Sequence, residues 1–206
     1  MHGLVDRFQR MFDDVASRSG VTISAREIRP GLPEVELREI EEGLEIELAP
    51  AIREFYRQTS GISFLWSVDP GALGDGFDEE DAGYIGGNIA VLDLFTMVMG
   101  RGGRRWFGEL FFDHMSEDEQ ALFRRFVPFD HTGELAPGFL LADGRIGPEM
   151  KLFSANDGIV PFDYDIAQYL ERCLETRGFH YWTTFFGDSH SHERARYDRA
   201  ISRIFT

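Results

Sequence analysis

Residues 48–66 read LAPAIREFYRQTSGISFLW, and this stretch decides the fold that the sequence predicts. Pro50 suits the first turn of a helix, because the N–H that it lacks would have no partner there. An apolar face at helical spacing follows, made by Ile52, Phe55, Tyr56 and Thr59. Gly61 is placed to close the helix in the left-handed conformation, and residues 62–68 are rich in β-branched and aromatic side chains. The stretch therefore predicts a helix, a glycine turn and a buried strand.

Length and composition favour one folded domain over residues 1–206. The chain has 43% hydrophobic residues and 19 Phe, which is ample material for a packed core. Cys173 is the only cysteine, so an internal disulfide framework and a cysteine-built zinc site are both excluded. The N-terminus has no continuous apolar segment, and no run approaches the roughly 18 apolar residues of a membrane span. We therefore expect a cytoplasmic protein that does not associate with membranes.

Acidic residues outnumber basic ones and gather in two segments. The 36 Asp and Glu against 21 Lys and Arg give a formal net charge of −15, which disfavours binding to nucleic acid. In the first segment Arg38 is the only base among the acids, which are Glu34, Glu36, Glu39, Glu41, Glu42, Glu45 and Glu47. The second segment is a glycine-rich loop without bases, and its acids are Asp75, Asp78, Glu79, Glu80 and Asp81. Both segments project a negative field.

Apolar periodicity and capping residues predict the other elements. Further helices are predicted over residues 4–17, 33–44, 93–99, 116–123 and 163–176 and at the C-terminus. Their predicted caps are Asp93, Asp163 and the pair Ser116 and Glu119. The other predicted strands are residues 88–92, 126–129, 139–142 and 150–154, and the last two are divided by the predicted turns Asp143-Gly144 and Gly147-Pro148. Residues 179–186 are strongly aromatic and are compatible with a strand or a hydrophobic arm, and the predicted core includes Phe55, Trp66 and Leu170.

The order of these motifs resembles the SUKH superfamily, which holds fungal regulators of cell-wall synthesis and many bacterial immunity proteins. The unit at residues 48–66 resembles its start, residues 126–130 (FVPFD) its second recurrent element, and residues 162–174 its closing helix. The resemblance covers about residues 34–177. It implies an α+β fold in which a single, largely antiparallel sheet packs against helices. It also implies binding of a protein partner, with no catalytic residues and no cofactor.

The strongest motif for an enzyme is the segment DSHSH at residues 188–192. One carboxylate and two imidazoles are ligands for zinc or iron, and such a metal would activate water for hydrolysis. On a helix, however, His190 and His192 would lie about 200° apart and could not share an ion. Asp188 or Ser189 as a helix cap explains the segment better. No nucleophile elbow occurs, and the acids around Asp75 lack the spacing of an EF-hand loop, so we predict no catalytic site, metal or cofactor.

These observations lead to a hypothesis of protein binding. The chain is predicted to be an immunity protein that neutralises a basic toxin domain through an acidic surface. The predicted contacts are Asp75, Asp78, Glu79, Glu80 and Asp81, with Glu39 and Glu42 as a second surface. Acidic runs are also common as plain solvated faces. A regulatory scaffold that binds endogenous partners is the alternative function, and a metal-dependent hydrolase is a third.

Overall fold

The computed structural model describes residues 3–73, 77, 85–101, 115–131, 135–154, 158–184 and 191–205. The helices within these residues are α1 (Leu4–Ala16), α2 (Glu34–Gly43), α3 (Pro50–Gln58), α4 (Pro70–Leu73), α5 (Leu94–Met99), α6 (Glu117–Phe123), α7 (Ile166–Thr176) and α8 (Ser191–Ile204). The strands are β1 (Val21–Pro30), β2 (Glu47–Leu48), β3 (Thr59–Val68), β4 (Gly86–Val91), β5 (Phe126–Pro128), β6 (Leu135–Ala142), β7 (Arg145–Ile146), β8 (Glu149–Ser154) and β9 (Gly158–Asp165). No helix of the described ranges is long and apolar enough to cross a membrane.

The strands form two sheets, with the order β1-β3-β4 in one and β2-β7-β6-β8-β9 in the other, where β5 also pairs with β6. The predicted α+β class is confirmed, whereas the prediction of a single sheet is wrong. In the larger sheet every pairing is antiparallel except the short β2–β7 pair. Asp143 and Gly144 connect β6 to β7 with φ values of 49° and 76°, which fit the tight hairpin turn that the sequence predicts.

The chain divides into two compact units. The first contains Ile28–Ile62 and Ala90–Leu170, and the second contains Gly3–Glu27, Ser63–Ile89 and Glu171–Thr206. The largest of their fully buried side chains are aromatic, and the predicted core residues Phe55, Trp66 and Leu170 are buried. That residues 1–206 form one domain stays a prediction.

Edge-to-face aromatic contacts fill the core of the first unit. The ring centroid of Phe129 lies 5.2 Å from that of Phe55, 5.5 Å from that of Phe139 and 5.9 Å from that of Tyr169. The planes of these rings are steeply inclined to the plane of Phe129, at 68–77°. This arrangement brings the positive edge of one ring against the negative face of the next. Helices α3 and α7 are thereby packed against β5 and β6.

The second unit has a separate aromatic core. Phe12 of α1 stacks on Phe64 of β3 with ring centroids 4.0 Å apart. The indole Nε1 of Trp66 donates to the carbonyl oxygen of Arg177 at 2.8 Å, so its polar atom is satisfied although the residue is fully buried. Phe179 forms an isolated bridge to Gly87, and a 3-10 turn follows at Trp182–Thr184, so the described part of the predicted aromatic segment is not a strand. Residues 185 and 186 lie outside the described residues.

Two of the predicted caps are confirmed and one is wrong. Asp93 accepts a hydrogen bond from the backbone N–H of Thr96, and Ser116 and Glu119 form the predicted capping box. Asp163 does not cap α7, because β9 continues to Asp165. The Asp165 carboxylate instead accepts from the backbone N–H of Gln168, whose side chain lies within hydrogen-bonding distance of the backbone N–H of Asp165.

Gly61 does not end the helix that precedes it. α3 ends at Gln58, and Gly61 lies within β3 at a φ of 155°. A Cβ atom on Gly61 would lie 3.0 Å from the carbonyl oxygen of Val91 and 3.4 Å from the guanidinium carbon of Arg29. The position needs glycine for this close approach to β4, and not for a helix cap.

We therefore expect Gly61→Ala to lower the free energy of unfolding by about 1–3 kcal/mol, through strain and the displaced neighbours. The control is Gly147→Ala, because a Cβ atom there meets nothing within 4 Å. Urea denaturation of both variants measures the difference. Equal stabilities would contradict this account of Gly61.

Candidate functional site

The sequence predicts two acidic surfaces, and the structure describes one of them. Asp75, Asp78, Glu79, Glu80 and Asp81 lie outside the described residues. Glu39 and Glu42 both lie on α2, and both are exposed. The surface of α2 is therefore the predicted site that the structure can describe.

The position of α2 is set by a narrow apolar face. Leu37 is fully buried, and Ile40 and Leu44 are half-buried. Val35 shares the helical spacing of these residues but is 52% exposed. The two glutamates of the first turn suit the positive end of the helix dipole, so the acidic sequence is compatible with helix formation.

Arg53 of α3 anchors α2 to its neighbour. Its Nη2 donates to Glu34 Oε1 at 2.6 Å, and its Nη1 donates to Glu41 Oε2. The second oxygen of Glu41 accepts from the backbone N–H of Leu48 at 3.0 Å. The Arg53 guanidinium also holds the pKa of Glu34 below its ordinary value, by hydrogen bonding to its carboxylate. Glu34 and Glu41 are thus occupied in fixing the helix.

Other acids of this segment face solvent without such a role. Glu47 pairs with Arg145, but four exposed acids have no ion-pair partner among the described residues: Glu36, Glu39, Glu42 and Glu45. Glu42 lies in the last turn of α2, which contains no base. Negative charge there opposes the helix dipole. This surface therefore carries negative charge that the described part of the fold does not compensate.

Two clefts run along α2. The acidic cleft has a volume of about 450 Å³, and its charged lining consists of Arg38, Glu41, Glu42, Glu45, Glu47 and Asp143. The apolar cleft has a volume of about 430 Å³, and its lining consists of Glu36, Glu39, Ile40, Gly43, Leu44 and Phe95. The lining of these two clefts includes no hydroxyl, thiol or imidazole group. Charge and apolar surface side by side suit binding of a partner.

A buried carboxylate lies in the core of the first unit, at a residue that sequence reasoning did not single out. Asp130 is fully buried. Its Oδ1 accepts from the backbone N–H of Ala90 at 3.0 Å, and its Oδ2 accepts from the hydroxyl of Tyr169 at 2.8 Å. Burial raises the pKa of Asp130 to about 6, although these hydrogen bonds act in the opposite direction. An acid directly after the apolar run FVPF was the signal available in the sequence. Because this carboxylate lies in the core, we assign it a structural role.

The alternative metal site lies mostly outside the described residues. Asp188 and His190 belong to residues 185–190, and His192 lies in the first turn of α8. Across the ranges that the structure describes, no three His, Cys, Asp or Glu residues are grouped so that they could hold a metal ion. Cys173 is buried on α7, where the sequence placed it.

Comparison with models of protein families and with curated proteins finds no match for this chain. The resemblance to the SUKH superfamily therefore stays a prediction. The candidate site is therefore defined by the geometry and charge of α2 and its surroundings alone.

The carboxyl of Asp130 predicts a pH dependence of stability. Its pKa rises from 3.8 to about 6 on folding, so unfolding releases a proton between these values. The free energy of unfolding should therefore fall as the pH rises through this window, by at most about 3 kcal/mol. Asp130→Asn has no titrating carboxyl at this position. Its free energy of unfolding should therefore rise relative to that of the wild type as the pH increases from about 4 to 6.

Urea denaturation at several pH values between 4 and 7.5 measures this difference. The control is Asp163→Asn, which removes a carboxyl from an exposed position. If the stability difference between Asp130→Asn and the wild type were the same at every pH, Asp130 would not have a raised pKa in the folded chain.

Proposed function

We propose that this chain is a non-enzymatic protein-binding domain that works as an immunity protein. It would neutralise a toxin by covering a basic surface of that toxin with the outward face of α2. The observation that carries this proposal is a set of exposed glutamates without ion-pair partners among the described residues, on a helix that Arg53 holds in place. The resemblance to the SUKH superfamily supports the same function.

The charge of the chain favours fast capture of a basic partner. A formal net charge of −15 attracts cationic surfaces over distances comparable with the Debye length, about 8 Å at physiological salt. The glutamates of α2 add a local field at the proposed contact. Such steering raises association rates, and it weakens steeply as salt is added. Fast capture suits a protein that must reach a toxin before the toxin acts.

The anchoring of α2 preorganises its outer face for binding. Arg53, Glu34 and Glu41 fix the helix without using the outward carboxylates of Glu36, Glu39 and Glu42. A partner that binds such a fixed surface does not have to order it first, which limits the entropic cost of association. Apart from Arg38, the side chains that line the two clefts along α2 are acidic or apolar, and this composition supports binding of a basic partner.

The triple variant Glu36→Gln, Glu39→Gln and Glu42→Gln tests the proposed surface. The partner is first captured in a pull-down with the wild-type chain as bait. We expect association of the triple variant with this partner to be roughly tenfold slower at low salt, because three charges of the steering field are lost. Surface plasmon resonance at two salt concentrations measures the rates. Thermal stability should hold or rise, since these carboxylates repel one another in the wild type.

The matched control neutralises three exposed acids elsewhere: Glu117→Gln, Asp118→Asn and Asp163→Asn. It removes the same charge from the chain but leaves α2 unchanged. Equal rates for the two triple variants would contradict the assignment of the contact to α2. The captured partner is then expressed in cells with and without this chain, and growth is measured. A partner that does not impair growth would contradict the immunity role and support a regulatory scaffold.

A further inference from the structure

The apolar cleft along α2 combines an apolar floor with an acidic edge. Ile40, Gly43 and Leu44 form one side, and Phe95 of α5 forms the other. Glu36 and Glu39 lie at its margin. The volume of about 430 Å³ is large enough to receive apolar side chains of a docked segment.

Exposed apolar side chains are concentrated on α2 and α5, the two helices that contribute to this cleft. Within the described residues, five large hydrophobic side chains are exposed, and three of them belong to α2 and α5: Val35, Phe95 and Met99. Phe95 is 57% exposed and Met99 is 55% exposed, and their spacing of four residues places them on the same face of α5. Clustered exposure of this kind marks binding surfaces in soluble proteins.

The helix that carries Phe95 is also held by hydrogen bonds to its neighbours. Asp93 caps it by accepting from the backbone N–H of Thr96 at 2.8 Å, and the guanidinium of Arg29 donates to the same carboxylate at 3.3 Å. The hydroxyl of Tyr56 donates to the carbonyl oxygen of Leu92 at 2.9 Å, just before this helix. Both helices that line the cleft are therefore held in place before a partner binds, which limits the entropic cost of binding.

We infer that the apolar cleft receives a basic amphipathic helix of the protein partner. Apolar side chains of that helix would enter between α2 and Phe95, and Lys or Arg on its flanks would pair with Glu36 and Glu39. Charge complementarity selects this occupant, because an acidic segment would be repelled at the margin and a purely polar one would leave the floor uncovered. The inference deepens the proposed function and rests on it, since it names the kind of segment that α2 recognises.

Gly43 provides a substitution that fills the cleft without changing its charge. Its backbone is helical, and a Cβ atom on it would meet nothing within 4 Å. Gly43→Trp therefore places an indole in the cleft and leaves Glu36 and Glu39 in place. Gly43→Ala is the matched control, because it adds only a methyl group and should raise the melting temperature.

The binding probe is a short amphipathic helical peptide of Leu and Lys, labelled for fluorescence anisotropy. We expect the full chain and Gly43→Ala to bind it with similar affinity, and Gly43→Trp to bind it at least about tenfold more weakly. Peptides with Glu in place of Lys, or Ser in place of Leu, should bind weakly to all three proteins. Unchanged binding by Gly43→Trp, or equal binding of the Ser-containing peptide, would overturn the inference.

A negative result in this test can be distinguished from a negative result in the test of the proposed function. If the glutamine variants of α2 slow partner association but Gly43→Trp does not weaken it, the acidic surface is the contact and the cleft is not. If neither affects binding, both proposals are wrong. A dimer in sedimentation experiments that becomes a monomer in Gly43→Trp would show that a second copy of the chain fills the cleft, and would overturn the assignment to a partner.

Discussion

The first unit depends on the hydrogen bonds of one buried carboxylate, that of Asp130. Its two oxygens accept from the backbone of β4 and from Tyr169 of α7, while its own backbone N–H donates to Pro137 of β6 at 3.1 Å. Within the first unit, one residue therefore ties the end of β4 to β6 and to α7. Burying a carboxylate costs free energy unless hydrogen bonds replace its water, and here each oxygen has a donor. The alignment of these elements is consequently specified by a polar contact, in surroundings that are otherwise aromatic.

The residues that stabilise the core of the first unit are different from those of the proposed binding surface. Asp130 and the rings around Phe129 hold the core, whereas α2 is attached mainly by the burial of Leu37 and by the ion pairs of Arg53. The carboxylates of Glu39 and Glu42, beyond the first turn of α2, have no part in either. Like charges on one helix destabilise it slightly. At these two positions the fold therefore tolerates charges that serve neither packing nor helix stability, as is expected where binding determines the residues.

Local signals in the sequence predicted the elements that local interactions determine. The helix from Pro50, the caps at Asp93 and Ser116 and the turn at Asp143 depend on neighbouring residues alone, and all agree with the structure. β1 was missed, although its first residues alternate between exposed and half-buried, because its charged residues obscured the pattern. β9 was missed because Pro161 discourages a strand, but β9 is an edge strand and tolerates a residue without an N–H group. The division into two sheets depends on pairing between distant residues, which no local pattern contains.

The candidate site was predictable only in its charge. The acids of α2 are visible in the sequence, but the apolar cleft is lined both by residues near the end of α2 and by Phe95, which is distant in the sequence, so it depends on the tertiary structure. The two properties act at different stages of binding. Charge acts at long range and sets the rate of encounter, while apolar burial acts at contact and sets the lifetime of the complex. An acidic segment alone would bind many basic surfaces weakly. In the proposed complex, Glu36 and Glu39 beside the apolar residues of the cleft would restrict tight binding to segments that satisfy both conditions, and specificity for one partner would follow from that combination.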